Sequence, residues 1–188
     1  MGCPRVTAVA GSGTRRTYSL KAAPGTGVTR WLVANGLDYA DVRVDAWWRL
    51  STTTNVTVSQ GVRAGSGGTV NQYEGTLNTT PRWTTTKDVS GTVSTVYTAP
   101  ADATCPTANT WAKVSVEISG TGWRALCNDT QVAPAAGFST TGGELLSGSV
   151  GFRVANIPAA QNWWIDDVVV RRFVYPEPTL TLGTADRP

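Results

Sequence analysis

Two adjacent carboxylates, Asp166 and Asp167, lie in the stretch NWWIDDVVVRRFVYPEP at residues 162–178. Successive side chains of a β-strand point to opposite faces, so these two cannot act as one acid pair in catalysis. Either one could ligate calcium, but calcium needs about six to eight oxygen ligands, and the sequence does not identify the rest. Two hypotheses stay open: a structural calcium at Asp166 or Asp167, and pairing of the carboxylates with Arg171, Arg172 or backbone amides.

Hydrolysis of a glycosidic bond needs two carboxylates held a few ångströms apart. The glutamates of this chain are Glu74, Glu117, Glu144 and Glu177. None has another carboxylate at the i±2 or i±4 spacing that shares a strand face. Asp41 and Asp45 do share a face, with Arg43 between them, but a ladder of alternating exposed charges explains that pattern equally well. The chain has no histidine, which excludes Ser-His-Asp and Cys-His sites, and we therefore expect no catalysis.

The tryptophans offer a better candidate site, since the chain has 8 of them in 188 residues. In DVRVDAWWRL (41–50), Trp48 has the parity of the valines, whereas Trp47 has the parity of the charged residues. A ring among charged groups can stack on the apolar face of a sugar while its neighbours bond the hydroxyls. We predict a ligand surface at Trp47, unless a loop or the N-terminal segment covers it. The residues assigned to this surface are Trp47, Arg43, Arg63, Tyr73 and Trp83.

Alternation of apolar and polar residues with period two predicts the elements that position these side chains. It is clearest at residues 41–50, 55–64 and 149–154, and it is typical of antiparallel strands with one buried face. Further strands are predicted at residues 5–9, 15–22, 28–34, 68–77, 92–98 and 163–174. The only helical signal is one short turn near Glu144 and Leu145.

Residues 110–127 predict a hairpin in detail. The segment SGTG (119–122) places Gly120 at the first central position of a type II′ turn, where a positive φ is required. That turn fixes the register of the two strands. The expected cross-strand pairs are Ile118 with Trp123, Val116 with Ala125, and Val114 with Cys127 on the inner face, and Glu117 with Arg124 on the outer face.

The cysteines Cys3, Cys105 and Cys127 allow one disulfide in three ways. Without histidine they cannot form the usual four-ligand zinc site. We favour Cys105–Cys127, because it would tie a long loop to the hairpin, and it would imply an oxidising compartment. The alternative is that all three are reduced.

Length and charge limit the remaining possibilities. A chain of 188 residues with 40% hydrophobic and 15% charged residues suits one globular domain. We expect that domain to span 1–188, with N-terminal edge strands in 1–27 and a C-terminal tail in 176–188. The net charge is only +3, and no run of Lys or Arg would track a phosphate backbone, so nucleic-acid binding is not expected. No stretch approaches the ~18 apolar residues of a membrane span.

The order of these motifs resembles the concanavalin A-like jelly roll in its laminin-G-like and glucanase-like branches. The motifs are DVRVDAWWRL, VSQGVRAGSGGTVNQYEGTL, NTWAKVSVEISGTGWRA, SGSVGFRVAN and WWIDDVVVRRF. The resemblance covers roughly residues 28–183. It implies an all-β antiparallel sandwich of the kind found in prokaryotic secreted and surface proteins. It also implies a terminal strand in which Asp166 or Asp167 binds a structural calcium; no other cofactor is expected.

Three functions are compatible with these expectations. The leading one is non-catalytic binding of a polysaccharide or other glycan, by a module of a larger extracellular or surface-displayed protein. The main alternative is a structural or adhesive module of a surface filament or phage virion, without a sugar ligand. A glycan-cleaving enzyme of the same fold would need carboxylates that the sequence does not pair.

Overall fold

The computed structural model describes residues 7–10, 18–22, 30–34, 36–65, 71–100, 104–140, 145–158 and 161–176. In this part of the chain the regular elements are all β-strands. No helix long and apolar enough to cross a membrane occurs in it. The strands are β1 (Thr7–Ala10), β2 (Tyr18–Ala22), β3 (Arg30–Val33), β4 (Val42–Leu50), β5 (Thr57–Ala64), β6 (Gln72–Leu77), β7 (Trp83–Val89), β8 (Thr92–Thr98), β9 (Ala112–Ser119), β10 (Gly122–Cys127), β11 (Thr130–Ala133), β12 (Ser139–Thr140), β13 (Ser149–Asn156) and β14 (Trp163–Arg172).

The strands form two antiparallel sheets that pack face to face. The 8-stranded sheet has the order β1-β2-β14-β4-β9-β10-β11, with β12 paired to β10. The 6-stranded sheet has the order β3-β13-β5-β6-β7-β8. One hydrophobic cluster draws side chains from both sheets. The predicted all-β antiparallel sandwich is confirmed.

The core is built from the inward parity of each strand. Along β4 buried and half-buried residues alternate without exception, and Trp48 is fully buried, as predicted. Its ring lies edge-on to that of Trp163, with centroids 4.8 Å apart. Its indole Nε1 donates to Gln60 Oε1 at 3.2 Å, and Gln60 Nε2 donates to Val44 O at 2.8 Å. Because these buried polar groups have partners, the hydrogen bonds between the two sheets offset the cost of removing the groups from water.

The hairpin of β9 and β10 has the predicted register, including Glu117 opposite Arg124. Gly120 has a φ of 57°, as the first central position of the predicted turn requires. The structure also contains the favoured disulfide between Cys105 and Cys127. The loop that carries Cys105 is held further by Trp83, whose Nε1 donates to Cys105 O at 2.7 Å.

Several elements differ from the prediction. Strand β7 has the sequence WTTTKDV and was not predicted, because its threonines hide the alternation between an apolar and a polar face. The short strands β11 and β12 were also missed. The predicted helical turn falls partly on Glu144, outside the described residues, and Leu145 is not helical.

The structure of β14 explains why apolar residues occur at both odd and even positions of its sequence. A β-bulge interrupts its pairing with β4 between Asp166 and Val169, and Asp167 has a φ of 47°. Asp166 Oδ1 accepts a hydrogen bond from the Asp167 backbone amide at 2.8 Å. The bulge changes which side chains face the core halfway along the strand. The residues that point inward therefore have one parity in the first half and the other parity in the second half.

Candidate ligand-binding surface

Two tryptophans of neighbouring strands lie on the outer side of the 8-stranded sheet. Trp47 on β4 is the Cα partner of Asp166 on β14, and Trp164 is the partner of Arg49. On its other side Trp47 is opposite Lys113 of β9. The two rings are thus diagonal cross-strand neighbours, a spacing that aromatic side chains can span. We call the surface formed by these five residues the aromatic face. Its members, all half-buried, are Trp47, Arg49, Lys113, Trp164 and Asp166.

A cation positions one of the two rings. The Arg49 guanidinium lies over the Trp164 ring, with Cζ 5.2 Å from the centroid. Arg49 Nε also donates to Asn109 O at 3.1 Å. The guanidinium is therefore fixed between a backbone carbonyl and a π-face, and this arrangement limits the orientations open to the ring.

A ladder of ion pairs runs across the same sheet beside the aromatic face. Arg43 Nε lies 2.8 Å from Asp45 Oδ1, and Arg43 Nη1 lies 2.5 Å from Glu117 Oε1. Arg124 Nε reaches the other Glu117 oxygen at 2.6 Å. Arg43 was predicted to contact the ligand. The N–H groups of Arg43 are directed at these carboxylates and at Asp129. The geometry of Arg43 therefore suits holding the carboxylates of the ladder in place.

Hydrogen bonding at the end of this ladder shifts one pKa. The Lys113 ammonium lies 2.6 Å from Asp129 Oδ1. The hydrogen bond from Lys113, together with a weaker contribution from Arg43, lowers the pKa of Asp129 below its ordinary value. Asp129 is exposed, so this effect is subject to screening by salt.

Three residues assigned to the Trp47 surface lie elsewhere. Arg63, Tyr73 and Trp83 belong to β5, β6 and β7 of the other sheet, and all are buried. The prediction that they border Trp47 is therefore wrong. Their parity along the chain was uninformative about which sheet each strand joins, because strand order is a long-range property.

The buried contacts of these three residues indicate structural roles. Arg63 donates to Ala40 O at 2.6 Å, Leu145 O at 2.7 Å and Gly120 O at 2.6 Å, and burial lowers the pKa of its guanidinium. Arg63 thus links, through hydrogen bonds, the three connecting segments that contain these carbonyl groups. The Tyr73 ring packs on that of Trp123, with centroids 4.6 Å apart. A fully buried ring is not available to stack on a ligand.

Trp164 is the residue that sequence reasoning missed. A signal for it existed: Trp163 and Ile165 share one parity, so Trp164 and Asp166 between them must share the other. The register then places Trp164 beside Trp47, which required knowing that β14 pairs with β4.

The outer side of the 6-stranded sheet carries a second polar cluster, which we call the polar face. At its centre the Glu74 carboxylate accepts hydrogen bonds from Arg153, at 2.8 Å from Nε and 2.5 Å from Nη2. Thr86 Oγ1 also donates to Glu74, at 2.8 Å. The members of the polar face, all buried, are Ser59, Gln72, Glu74, Thr76, Thr84, Thr86, Asp88 and Arg153.

Two glycines make this network possible. Gly61 and Gly151 are Cα partners on β5 and β13, and a Cβ atom on either would collide with the Gln72 amide. The side chain of Gln72 thus packs directly on the two glycines, and its Nε2 donates to Glu74. Replacing either glycine would displace Gln72 from the polar face.

The polar face also contains two acceptors without donors. Gln72 Oε1 and Asp88 Oδ1 are buried and have no hydrogen-bond partner. Burial, and secondarily the Glu74 carboxylate, raise the pKa of Asp88 above its ordinary value. Glu74 and Asp88 are diagonal cross-strand neighbours on β6 and β7, a proximity of two carboxyl groups that sequence spacing did not reveal. Because both are buried and Glu74 is bound to Arg153, the arrangement suits an internal network better than a reaction centre.

The described carboxylates at the bulge do not form a complete metal site. Asp166 and Asp167 are adjacent, yet no group of three or more Cys, Asp or Glu residues able to hold a metal ion occurs among the described residues. Backbone carbonyls would have to supply most of the oxygens that calcium requires.

No family model and no curated protein matches this chain. Among solved structures, the carbohydrate-binding module CBM66 from Bacillus subtilis is 11% identical with a TM-score of 0.64, covering 80% of this chain and 85% of that one. A Bacillus subtilis protein of unknown function with a galectin-like fold is 10% identical with a TM-score of 0.62, covering 82% of each chain. The alginate lyase Aly36B, in complex with alginate trisaccharide, is 12% identical with a TM-score of 0.52, covering 84% of each chain.

These similarities define the class of fold. The chain has the concanavalin A-like, galectin-like jelly-roll fold, confirming the resemblance seen in its motifs. The fold and the Cys105–Cys127 disulfide fit an extracellular protein. The neighbours include a carbohydrate-binding module and an enzyme, so function must be argued from the surface of this chain.

Proposed function

We propose that this protein is a non-catalytic glycan-binding module and that the aromatic face is its ligand surface. The observation that carries the proposal is the pair Trp47 and Trp164, two half-buried rings on adjacent strands of one outer sheet face. Large aromatic rings on the outside of a sandwich are costly to solvate, and paired rings of this kind are typical of ligand or partner surfaces.

The groups around the rings suit a sugar. Each ring offers an apolar surface for the C–H face of a pyranose, while Arg49, Lys113 and Asp166 supply hydrogen-bond donors and acceptors for hydroxyls. Both signs of charge are present, so the surface suits a neutral or weakly charged polysaccharide better than a polyanion. The similarity to a carbohydrate-binding module supports this reading at the level of the fold.

The test is binding of Trp47→Ala and Trp164→Ala to a panel of soluble polysaccharides by affinity electrophoresis, followed by calorimetry on any hit. Each substitution should weaken binding about tenfold or more, equivalent to roughly 1.4 kcal/mol. Trp47→Phe, which keeps a ring, should retain part of the affinity. Tyr175→Ala serves as the control, because that exposed ring packs on Arg124 and Phe138.

Two results would count against the proposal. One is that the wild type and both Trp→Ala variants bind the same polysaccharides equally well. The other is the absence of binding across neutral, acidic and basic polysaccharides at millimolar sugar concentrations. In either case the structural alternative becomes the better account.

A structural or adhesive module is the second candidate, and strand β8 favours it. Its sequence TVSTVYT is uncharged and rich in β-formers, four of its seven residues are exposed, and it is an edge strand of the described sheet. Such an edge is a template for pairing with another chain. Thr95→Lys should abolish any concentration-dependent assembly seen by analytical ultracentrifugation. An unchanged monomer in the wild type at high concentration would remove this candidate.

The calcium hypothesis at Asp166 and Asp167 remains a proposal with its own test. If calcium binds there, a chelator should lower the melting temperature of the wild type, and Asp166→Ala or Asp167→Ala should remove that effect. A melting curve that does not respond to chelator or to added calcium would favour the structural pairing of these carboxylates, to which the hydrogen bond between Asp166 and the Asp167 amide belongs.

A further inference from the structure

An apolar pocket lies on the flank of the sandwich, away from the aromatic and polar faces. It has a volume of about 250 Å³ and is bounded by β3 and β13 of one sheet and the second half of β14 from the other. The lining side chains are aliphatic or aromatic, and none is charged. Those that matter below are Leu32, Ala34, Val150, Phe152, Val168 and Val170.

The bulge in β14 accounts for the pocket. Within the described residues, β2 pairs with β14 only at Trp163, Trp164 and Ile165, and the register shift begins directly afterwards. Val168, within the bulge, and Val170, beyond it, line the pocket. A bulge commonly re-aims side chains or ends pairing in this way. Among the described residues, therefore, no strand of this sheet pairs with the second half of β14 on the side of the pocket.

The opposite wall is fixed by backbone hydrogen bonds. Ala34 N donates to Val150 O at 3.0 Å, and Tyr39 and Gly148 exchange two backbone hydrogen bonds. Phe152 is the Cα partner of Leu32. Backbone pairing holds this wall in place, so the cavity is formed in advance of any ligand and a ligand would not have to order it.

The mouth of the pocket exposes apolar surface. Leu32 is 40% and Val168 is 45% exposed. Such residues offer water no hydrogen-bond partners, so the pocket favours apolar ligands. At about 30 Å³ per water-sized group, the volume corresponds to roughly eight such groups, the size of one short alkyl chain.

The cationic residue Arg172 lies on the same side of β14 as the pocket. Past the bulge, Val170 and Arg172 alternate with Val169 and Arg171, so Arg172 shares the side of the pocket-lining Val170. Arg172 is exposed, and its side chain makes no hydrogen bond or ion pair within the described part of the chain. Arg172 does not line the pocket, but it lies two residues beyond Val170, where its long side chain can reach the head group of a ligand. An apolar pocket with a cation nearby has the complementarity of an amphiphilic anion.

We propose that the flank pocket binds one free medium-chain carboxylate, with the alkyl chain among the valines and the carboxylate at Arg172. The length of the alkyl chain follows from the cavity volume, and the charge of the head group follows from Arg172, two residues beyond the lining residue Val170. This site is separate from the aromatic face, so it does not depend on the glycan proposal.

The experiment measures binding of sodium octanoate to the full chain by calorimetry, with 1-octanol as the uncharged probe. Wild type should bind octanoate more tightly than octanol. Val168→Trp should fill the mouth and abolish binding of both. Arg172→Gln should weaken octanoate by about two- to five-fold, the range of an exposed ion pair, and leave octanol unchanged.

The chain offers a matched control for each variant. Val169→Trp and Arg171→Gln change adjacent residues of the same types on the opposite side of β14 and should bind octanoate like the wild type. The proposal is overturned if octanoate does not bind, if Val168→Trp binds as tightly as Val169→Trp, or if Arg171→Gln and Arg172→Gln have equal effects. A thermal melt of each variant establishes that it is folded before its binding is scored.

Discussion

The two outer faces of the sandwich use the same chemistry, arginine paired with carboxylates, but the exposure of the pairs differs. Beside the aromatic face, the ladder is buried at Glu117, which has 1% of its side chain in solvent, and exposed at its end, where Asp129 has 60%. On the polar face, Glu74 is 0% and Arg153 is 8% exposed. Exposed pairs contribute little to stability, whereas breaking a buried pair leaves an uncompensated charge. The ion pairs look alike in sequence, and burial alone separates their expected energies.

The aromatic residues show a similar contrast between adjacent positions of β4 and of β14. Trp48 and Trp163 are in the core, and their chain neighbours Trp47 and Trp164 are half-buried on the aromatic face. A single-residue change of parity thus moves an indole from the core to a candidate ligand surface. This division makes the two faces experimentally separable.

The largest effect should come from breaking the buried pair of the polar face. Arg153→Met keeps most of the side-chain volume but leaves the Glu74 carboxylate buried without its cation. We expect a loss of about 3–5 kcal/mol in the free energy of unfolding, measured by urea denaturation. The double variant Glu74→Gln with Arg153→Met should recover part of this loss. A loss below about 1 kcal/mol for Arg153→Met would mean that burial does not separate the two faces.

Substitution of adjacent tryptophans tests the division within β4. Trp48→Ala should destabilise the fold by about 3–5 kcal/mol, as deletion of a buried large aromatic does. Trp47→Ala should cost less than about 1 kcal/mol, because its ring is outside the core. Equal destabilisation would show that both rings belong to the core, and the glycan proposal would lose one of its two residues.

The pH dependence of stability tests the Asp88 carboxyl of the polar face, whose Oδ1 has no hydrogen-bond partner. The folded-state pKa of Asp88 is raised, so the folded protein binds this proton more tightly than the unfolded chain does. The resulting stabilisation is complete below the unfolded pKa of about 3.9 and is lost as pH rises through the folded pKa. Asp88→Asn should remove this decline in urea unfolding measured from acidic to neutral pH. A pH profile identical to that of the wild type would contradict it.

The smallest effect is expected at the exposed end of the ladder. Lys113→Ala removes the partner of Asp129 and should change the free energy of unfolding by about 0–1 kcal/mol. The change should shrink further in high salt, since salt screens exposed charges. The same salt should have little influence on Arg153→Met. Comparable salt dependence in both variants would argue that the polar face is solvated.

Local pattern was sufficient for much of the structure. Period two along β4 identified which tryptophan is buried, because adjacent strand residues must face opposite ways. The turn chemistry at Gly120 determined the register of the β9–β10 hairpin, because a two-residue turn leaves one way to pair the strands. The Cys105–Cys127 disulfide was predicted from the same hairpin. These features depend on residues close together in the chain.

Only the tertiary structure decided which surfaces those strands form. Glu74 and Arg153 are 79 residues apart, and nothing local connects them. Arg63, Tyr73 and Trp83 were placed beside Trp47 because strand order cannot be deduced from parity. The amino-acid sequence by itself determined the inward and outward side of most strands and one hairpin register, since these follow from backbone geometry. Strand order, the β14 bulge and the burial of the polar face depend on long-range packing, which no short pattern encodes.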